Sequence, residues 1–465
     1  MRLTRRNFLK LPAAVLLPVG APAAAAAEGD EFRVLTVGKT ALALLPAPAP
    51  ATAACGFAEA VPGPLLRYKK GESIKIRLKN TAAEPVTFAC QGMRIANPMD
   101  GVAGLTQEPV LPGGSFDYSF TPPDSGFSWY RSAVLPLTGG QIERGLYGPL
   151  IIEEAEPPIA DRDVVVVLAD WHLDAAAQIE TDAGDPPQRG AAATDHYVVT
   201  VDGVAPPIAL ELAPSARLRL RLLSLVQAQL VFVIFAGLRP RIIAIDGQPC
   251  EPFEPLRRTI PIGPGACFDL LCDLPAEAGA ETMIAWRTGE PSDRPLVIFT
   301  TRGARRAALP TIAPLPANPL LPLRIKLQDA HKAELVIEAP AQKSTGKDHA
   351  AAPPPERHGS LTLNGMSAQN FSLKPLFSVK RGTPVTLGCS NKTALLMQLH
   401  VHGHAFRLLH DLDDGWEPYW RNRVIVPEGR MKHIAFVADN PGKWAIECQT
   451  LELRPSSLVA WFEVT

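Results

Sequence analysis

Three histidines alternate along one short segment of the chain, His400, His402 and His404 in LHVHGHAF. Residues i and i+2 of a strand face the same side of a sheet, so a His-x-His pair presents two imidazoles to one surface. Neutral imidazole is a good ligand for copper. Of the ten histidines, no other lies at ligand spacing from a neighbour, so this segment is the candidate metal site.

Short β-rich segments surround these histidines and recur along the whole chain. Examples are SIKIRLKN (73–80), DVVVVLAD (163–170), RLRLRLLS (217–224) and TPVTLGCSN (383–391), with turn residues between them. No long helical period intervenes, which predicts an all-β fold of Greek-key sandwiches. Proline-rich segments at 155–163 and 308–322 predict two joints between three domains.

The predicted organisation follows from these joints. We predict a signal peptide at 1–27 and domains at 28–156, 157–307 and 308–465, the last with a mobile polar loop at 339–358. Lysine and arginine (46) nearly balance aspartate and glutamate (47), and no long run of one charge occurs. Nothing in this composition indicates a nucleic-acid partner.

The N-terminal segment MRLTRRNFLKLPAAVLLPVG indicates export. Arg5 and Arg6 precede Phe8 and Leu9 and a short apolar stretch, which is typical of a twin-arginine signal cut near Ala27. An uncleaved anchor is the alternative, but proline and glycine interrupt a stretch too short to span a bilayer. No later segment reaches about 18 uninterrupted apolar residues. We therefore predict a periplasmic protein without a membrane span after cleavage.

Seven cysteines occur at irregular spacing, and no disulfide pairing follows from them. Cys267 and Cys272 are five positions apart, which places them on opposite faces of one strand. We predict no bridge between these two, because their side chains would point apart.

Several longer motifs resemble the three-domain multicopper oxidases, the laccase-like family built from cupredoxin sandwiches. They are NPMDGVAGLTQEPVLPGGSFDYSFTPPDSGFSWY and RGLYGPLIIEE, then DWH and IAIDGQPCEPFEP, then HVHGHAFRLL, DGWEPYWRNRVIVPEGR and IAFVADNPGKW. The resemblance covers nearly all of the mature chain and implies three consecutive cupredoxin-like domains. In this family four His-x-His pairs hold a trinuclear copper cluster between domains one and three. A cysteine and two histidines of domain three hold a type 1 copper.

The resemblance also assigns ligand positions, and most of them no longer carry ligands. The eight cluster positions are Ala89, Gln91, Arg131, Ala133, His400, His402, Glu447 and Gln449. The type 1 positions are Met397, Cys448 and Leu453, with Leu458 at the axial position. His400, His402 and Cys448 are the surviving ligand positions, so no copper centre is complete.

Each survivor has two interpretations. His400 and His402 are either inherited histidines of a polar cavity, which is favoured, or with His404 a single copper site. Cys448 is either a copper thiolate or a buried neutral thiol, and its apolar neighbours favour the thiol because they raise its pKa.

Three functions follow from these interpretations. The favoured one is a pseudo-oxidase, similar in condition to a copper-free periplasmic cell-division member of the family. It would carry no cofactor and would act as a scaffold or binding protein for a periplasmic protein or cell-wall component. The alternatives are a laccase-like oxidoreductase acting on phenols or cuprous ion, and a copper-sequestering protein with reduced stoichiometry at His400 and His402.

The replacement residues lead to one structural prediction. Arginine, glutamate and two amides gather where the positive charge of the cluster would lie, and buried polar groups must be paired. We predict an ion pair between Arg131 and Glu447 that bridges domains one and three, with Gln91 and Gln449 as its hydrogen-bond partners. The competing interpretation is that these side chains diverged independently and point into solvent.

Overall fold

The computed structural model describes residues 31–135, 137–180, 197–227, 229–287, 292–339, 361–367, 370–410, 415–451 and 457–465. The fold over these residues is almost entirely β, in three successive sandwiches, which confirms the predicted all-β, cupredoxin-like class. The predicted signal peptide and almost all of the predicted loop at 339–358 lie outside the described residues. No helix in the described ranges is long and apolar enough to cross a membrane.

The first sandwich contains β1 (Arg33–Leu42), β2 (Thr52–Phe57), β3 (Leu66–Lys69), β4 (Ile74–Asn80), β5 (Ala89–Gln91), β6 (Ser115–Phe120), β7 (Gly126–Arg131) and β8 (Tyr147–Glu153). Its two sheets have the strand orders β2-β1-β4-β6 and β3-β8-β7-β5. A short helix, α1 (Thr138–Glu143), and a 3₁₀ turn (Asn97–Met99) lie in its loops.

The second sandwich contains β9 (Arg162–His172), β10 (Tyr197–Val201), β11 (Ile208–Leu212), β12 (Arg217–Leu225), β13 (Val231–Ala236), β14 (Arg241–Ile245), β15 (Gln248–Phe253), β16 (Thr259–Ile262), β17 (Cys267–Asp273), β18 (Glu281–Trp286) and β19 (Arg294–Thr301). Its sheets have the orders β10-β9-β12-β17-β14-β15 and β11-β19-β18-β13-β16. A second 3₁₀ turn (Leu256–Arg258) precedes β16.

The third sandwich contains β20 (His331–Glu338), β21 (Thr362–Leu363), β22 (Met366–Ser367), β23 (Ser378–Val379), β24 (Thr383–Asn391), β25 (Met397–Val401), β26 (Arg407–Leu408), β27 (Arg423–Val426), β28 (Met431–Ala438), β29 (Gly442–Thr450) and β30 (Ser457–Val464). Its sheets have the orders β22-β21-β20-β24-β28-β26 and β23-β30-β29-β25-β27.

Strand β12 shows how alternation in the sequence sets the packing. Its leucines at 218, 220 and 222 face the core of the second sandwich, where they are fully buried. Its arginines face the opposite side and are buried as well, because carboxylates surround them. Arg219 bonds both Asp269 and Glu154 at 2.6 Å, and Arg221 bonds Asp163 at 2.9 Å. Glu154 directly follows β8, so this charged face ties the second sandwich to the first.

An apolar contact completes that junction. Trp129 of β7 packs in one buried cluster with Val167 of β9 and Leu223 of β12. Its indole nitrogen donates a hydrogen bond to the carbonyl oxygen of Gly265 at 2.9 Å. The end of β7, where Arg131 lies, is therefore held by the second sandwich.

Candidate functional site

Two sheets bring the former ligand positions together between the first and third sandwiches. On β25, His400 lies between two register partners, Arg423 of β27 and Glu447 of β29. Cross-strand partners point to the same face of a sheet, so these three residues present a cation, an imidazole and a carboxylate side by side. We call Arg423, His400 and Glu447, together with the neighbouring His402, the polar row. In the first sandwich, β5 and β7 pair Ala89 with Arg131.

Arg131 and Glu447 form the predicted ion pair across this boundary. Arg131 Nη2 donates to Glu447 Oε2 at 2.5 Å, and the two side chains are only 4% and 10% exposed. Burial raises the pKa of the Glu447 carboxyl, but Arg131 and His402 outweigh it and hold that pKa well below its usual value. The prediction is confirmed, and the interpretation that these side chains point into solvent is wrong.

His402 lies between two carboxylates. Its Nδ1 is 3.1 Å from Asp100 Oδ2, and its Nε2 is 3.3 Å from Glu447 Oε1. Burial lowers the pKa of the His402 imidazole, but the two acids outweigh it and bring that pKa to about 9. An imidazolium carries a proton on each nitrogen and has no lone pair left for a metal. The Nε2 contact with Glu447 is an ion-pair contact without hydrogen-bond geometry.

His400 has a different protonation state. Its Nδ1 donates to the carbonyl oxygen of Asn422 at 2.9 Å, which fixes the tautomer. Burial and the charge of Arg423 hold the pKa of His400 well below its usual value. Its Nε2 has no hydrogen-bond partner among the described residues. One neutral imidazole with a free lone pair therefore remains in the row.

The two glutamines contact different partners from those predicted. Gln91 Oε1 accepts a hydrogen bond from Arg423 Nη2 at 2.8 Å, and Gln449 Nε2 donates to Gln227 Oε1 at 2.5 Å. The prediction that they support the Arg131–Glu447 pair is wrong. Gln449 lies two residues beyond Glu447 on β29, where its partner Gln227 belongs to the second sandwich. The side-chain oxygen of Gln91 already accepts the hydrogen bond from Arg423.

The second sandwich positions this row through Asp246. Its Oδ2 accepts the backbone N–H groups of Asn422 and Arg423 at 3.1 and 3.3 Å. The guanidinium of Arg423 lies over the Trp129 ring, 5.4 Å from its centroid. The site is thus a junction of all three sandwiches.

Four residues of this junction were not predicted from the sequence: Asp100, Gln227, Asp246 and Arg423. Three of them lie inside motifs that carry the family resemblance, NPMDG, IAIDG and WRNRV. The available signal was chemical, because a buried arginine at a copper-facing row requires an added carboxylate or amide nearby.

The two alanine positions are filled by apolar packing. Ala89 and Ala133 are buried in a small cluster with Val102 and Ala445. An alanine side chain has no atom that can bind a metal. These positions close the space beside the polar row rather than opening it.

The type 1 positions lie in the core of the third sandwich. Met397, Cys448 and Leu458 are buried there, whereas Leu453 lies outside the described residues. A hydrogen bond with the Cys389 thiol, together with burial, raises the pKa of the Cys448 thiol well above its usual range. Cys448 is thus a protonated thiol in apolar surroundings.

His404 is separated from the polar row by its surroundings. Its Nδ1 donates to the carbonyl oxygen of His402 at 3.1 Å, and its ring contacts Phe436, Trp444 and Phe462. Burial lowers the pKa of His404 to about 3. It belongs to an aromatic core and does not extend the His400–His402 pair into a third ligand.

These side chains do not fit the copper centres of the resemblance. Arginine brings positive charge to a cluster position, alanines replace two ligands, and His402 has no free lone pair. Within the described ranges, no three or more His, Cys, Asp or Glu side chains are grouped as a metal site.

Comparisons with known proteins give the family. Models described as multicopper oxidase match residues 41–157, 162–296 and 340–465. The chain belongs to the multicopper oxidase family.

Other multicopper oxidases match this chain along most of its length. Multicopper oxidase MmcO of Mycobacterium tuberculosis is 25% identical over 428 residues, which cover 84% of this chain and 79% of that one. A multi-copper oxidase from Pseudomonas thermotolerans has a TM-score of 0.78 and 28% identity, covering 94% of this chain and 99% of its own. Lac15 from a marine microbial metagenome has a TM-score of 0.73 and 27% identity, covering 93% and 99%.

Proposed function

We propose that this chain is an exported pseudo-oxidase of the multicopper oxidase family, which acts as a scaffold or binding protein in the periplasm. The observation that carries this proposal is the connected path Arg131–Glu447–His402–Asp100, with contacts of 2.5, 3.3 and 3.1 Å. Three of its residues, Arg131, Glu447 and His402, lie at positions where the family resemblance requires neutral imidazoles. The path joins the first and third sandwiches with ordinary side chains.

The chemistry of dioxygen reduction supports the proposal of a pseudo-oxidase. A four-electron reduction needs a place where dioxygen binds between coppers and an electron path from a type 1 copper. His400 Nε2 and His402 Nε2 both lack a hydrogen-bond partner among the described residues, but only the neutral imidazole of His400 has a lone pair for a metal, and Cys448 is a protonated thiol. Neither end of that electron path has the ligands it requires.

A single-copper function is the competing proposal. The rings of His400 and His402 have centroids 4.6 Å apart, and His400 Nε2 has no hydrogen-bond partner among the described residues. Copper would have to displace a proton from His402 while two carboxylates stabilise its charged form. This competition favours the copper-free function.

The sequence supports export and a partner in the same compartment. The pair Arg5 and Arg6 with the apolar stretch that follows is typical of a twin-arginine signal, and that route carries folded proteins. The partner is a periplasmic protein or a cell-wall component.

Two measurements test the proposal together. Protein exported from copper-supplemented cells is analysed for bound copper, and dioxygen uptake is followed with a phenol and with cuprous ion. The Pseudomonas thermotolerans multi-copper oxidase serves as the positive control. We expect little copper and no uptake above the protein-free rate. A full complement of copper with sustained uptake would overturn the proposal, and one copper without uptake would favour sequestration.

A further inference from the structure

A second feature lies on the outer surface of the second sandwich. The 3₁₀ turn Leu256–Arg258 leads into β16, the edge strand of the five-stranded sheet. Leu256 is 84% exposed, and Phe232 of the neighbouring strand β13 is 43% exposed. We call the surface formed by Phe232, Leu256, Arg257, Arg258 and Pro261 the arginine tip.

The strand register explains why apolar side chains are exposed here. Val231 and Val233 point into the core, so Phe232 between them points outward. Phe232 is the register partner of Pro261, which is also exposed. Cross-strand partners share a face, so the ring and the proline form one apolar surface beside the turn.

The two arginines of the tip are held in an unusual backbone conformation. Arg257 and Arg258 have φ values of 52° and 53°, in the left-handed region that costs non-glycine residues about 1 kcal/mol or more each. Both side chains are exposed. The conformation presents two adjacent guanidinium groups at the end of the turn.

Neither of these guanidinium groups has an acidic partner, unlike those of three other exposed arginines. Arg239, Arg287 and Arg302 of the same sandwich each pair with a carboxylate at 3.1–3.2 Å. In the described part of the chain, no carboxylate lies within ion-pair distance of Arg257 or Arg258. Their positive charge is therefore available to a partner, next to exposed apolar groups.

We propose that the arginine tip binds an extended acidic segment of a partner protein that also carries apolar side chains. This inference rests on the proposed binding function and names its surface and the chemistry of its partner. Guanidinium groups bind carboxylates with two parallel hydrogen bonds, and aromatic and arginine side chains dominate protein interfaces energetically.

The same features set limits on the binding mode. Pro261 has no backbone N–H, which weakens the addition of a further strand at the β16 edge. Recognition therefore rests on the side chains of the tip. Two unpaired cations contribute only about 1 kcal/mol each at an anionic bilayer, so a lipid surface is the weaker fit.

A peptide-binding experiment tests this surface. The probe is a fluorescein-labelled peptide of alternating Glu and Phe or Leu residues, and its companion has Gln in place of Glu. The double variant Arg257→Asn, Arg258→Asn removes both charges, and asparagine tolerates the left-handed backbone. The matched control is Lys69→Asn, Lys70→Asn, which removes two adjacent exposed cations from the first sandwich.

We expect the acidic peptide to bind the full chain and the Gln companion to bind much more weakly. The arginine double variant should lose about tenfold or more in affinity by fluorescence anisotropy, which is about 1.4 kcal/mol, while the lysine control matches the wild type. Leu256→Ser should weaken binding without any change of charge. Unchanged unfolding midpoints establish that the variants are folded.

Three results would overturn the inference. They are no binding to the wild type, equal losses in the two double variants, or binding to phosphatidylglycerol vesicles with none to the peptide. The copper and dioxygen measurements do not depend on this surface. A failure here with no dioxygen uptake leaves the pseudo-oxidase proposal intact and removes only the tip.

Discussion

Arg131 and Glu447 are 316 positions apart in the sequence and meet at 2.5 Å between the first and third sandwiches. Glu447 has a second cationic neighbour, His402, at 3.3 Å. The carboxylate therefore balances two buried positive groups, whereas Arg131 has one acidic partner. Removal of Glu447 therefore affects two cations, whereas removal of Arg131 affects a single carboxylate.

Replacing one charge should destabilise the protein more than replacing both. Glu447→Leu alone leaves the Arg131 guanidinium buried without its acidic partner, at a cost of about 3–5 kcal/mol, whereas Arg131→Met costs less because Glu447 keeps His402 as a cationic neighbour. The double variant should recover much of the loss. Unfolding free energies from urea titration measure the coupling, and strictly additive losses would show that the pair does not interact.

Purified protein should lack the intense blue absorption of a copper thiolate, even after copper is added. Cys448 is a buried thiol with a raised pKa, beside the Cys389 thiol and Met397 rather than histidines. A visible spectrum of wild type and Cys448→Ser, recorded with excess copper, checks this. A blue band present in the wild type and absent in the variant contradicts it.

Copper should bind weakly, and any that binds should depend on the polar row. Calorimetric titration of the wild type and of a His400→Ala, His402→Ala double variant measures this. Asp100→Asn is an informative companion, because loss of that carboxylate favours neutral His402 and should strengthen copper binding. Tight binding that survives in the double variant would place the metal elsewhere.

Acid should weaken the junction between the first and second sandwiches. Burial raises the pKa of Glu154, but the hydrogen bond and charge of Arg219, with smaller contributions from the Glu154 backbone and Arg221, together outweigh burial and leave that pKa below the ordinary value of 4.5. A depressed carboxyl pKa contributes stability that is present above the unfolded value and is lost as pH falls through the folded value. The stability difference between wild type and Glu154→Gln should therefore be largest near neutral pH and shrink below about pH 4.5.

Urea unfolding across a pH series measures that difference. Asp117→Asn is the matched control, because the pair between Asp117 and Arg77 is exposed, with side chains 39% and 43% accessible. Its effect should be small at every pH, since exposed pairs contribute little. A Glu154→Gln difference that stays constant with pH would show that the carboxylate is not acting through its charge.

The sequence predicts the class of fold and the central ion pair for the same reason. Strand alternation and the family motifs place Arg131 and Glu447 on facing sheets, and two opposite charges there have few alternatives to pairing. The predicted hydrogen-bond partners of Gln91 and Gln449 are wrong, because the observed partners depend on contacts with the second sandwich. Asp246 of the second sandwich positions Arg423 by accepting its backbone N–H, and no alternation of residue types in the sequence predicts that loop contact.

The contact between Glu154 and Arg219 determines where the chain can be divided into separate fragments. The Glu154 carboxylate follows β8 and bonds Arg219 near the beginning of β12, with both side chains nearly inaccessible. A cut between residues 156 and 157, where the sequence suggests a boundary, leaves this carboxylate on one fragment and its guanidinium on the other. Arg219 would keep Asp269 alone, which it already shares with Arg221. A fragment meant to contain the second sandwich should therefore begin before residue 154.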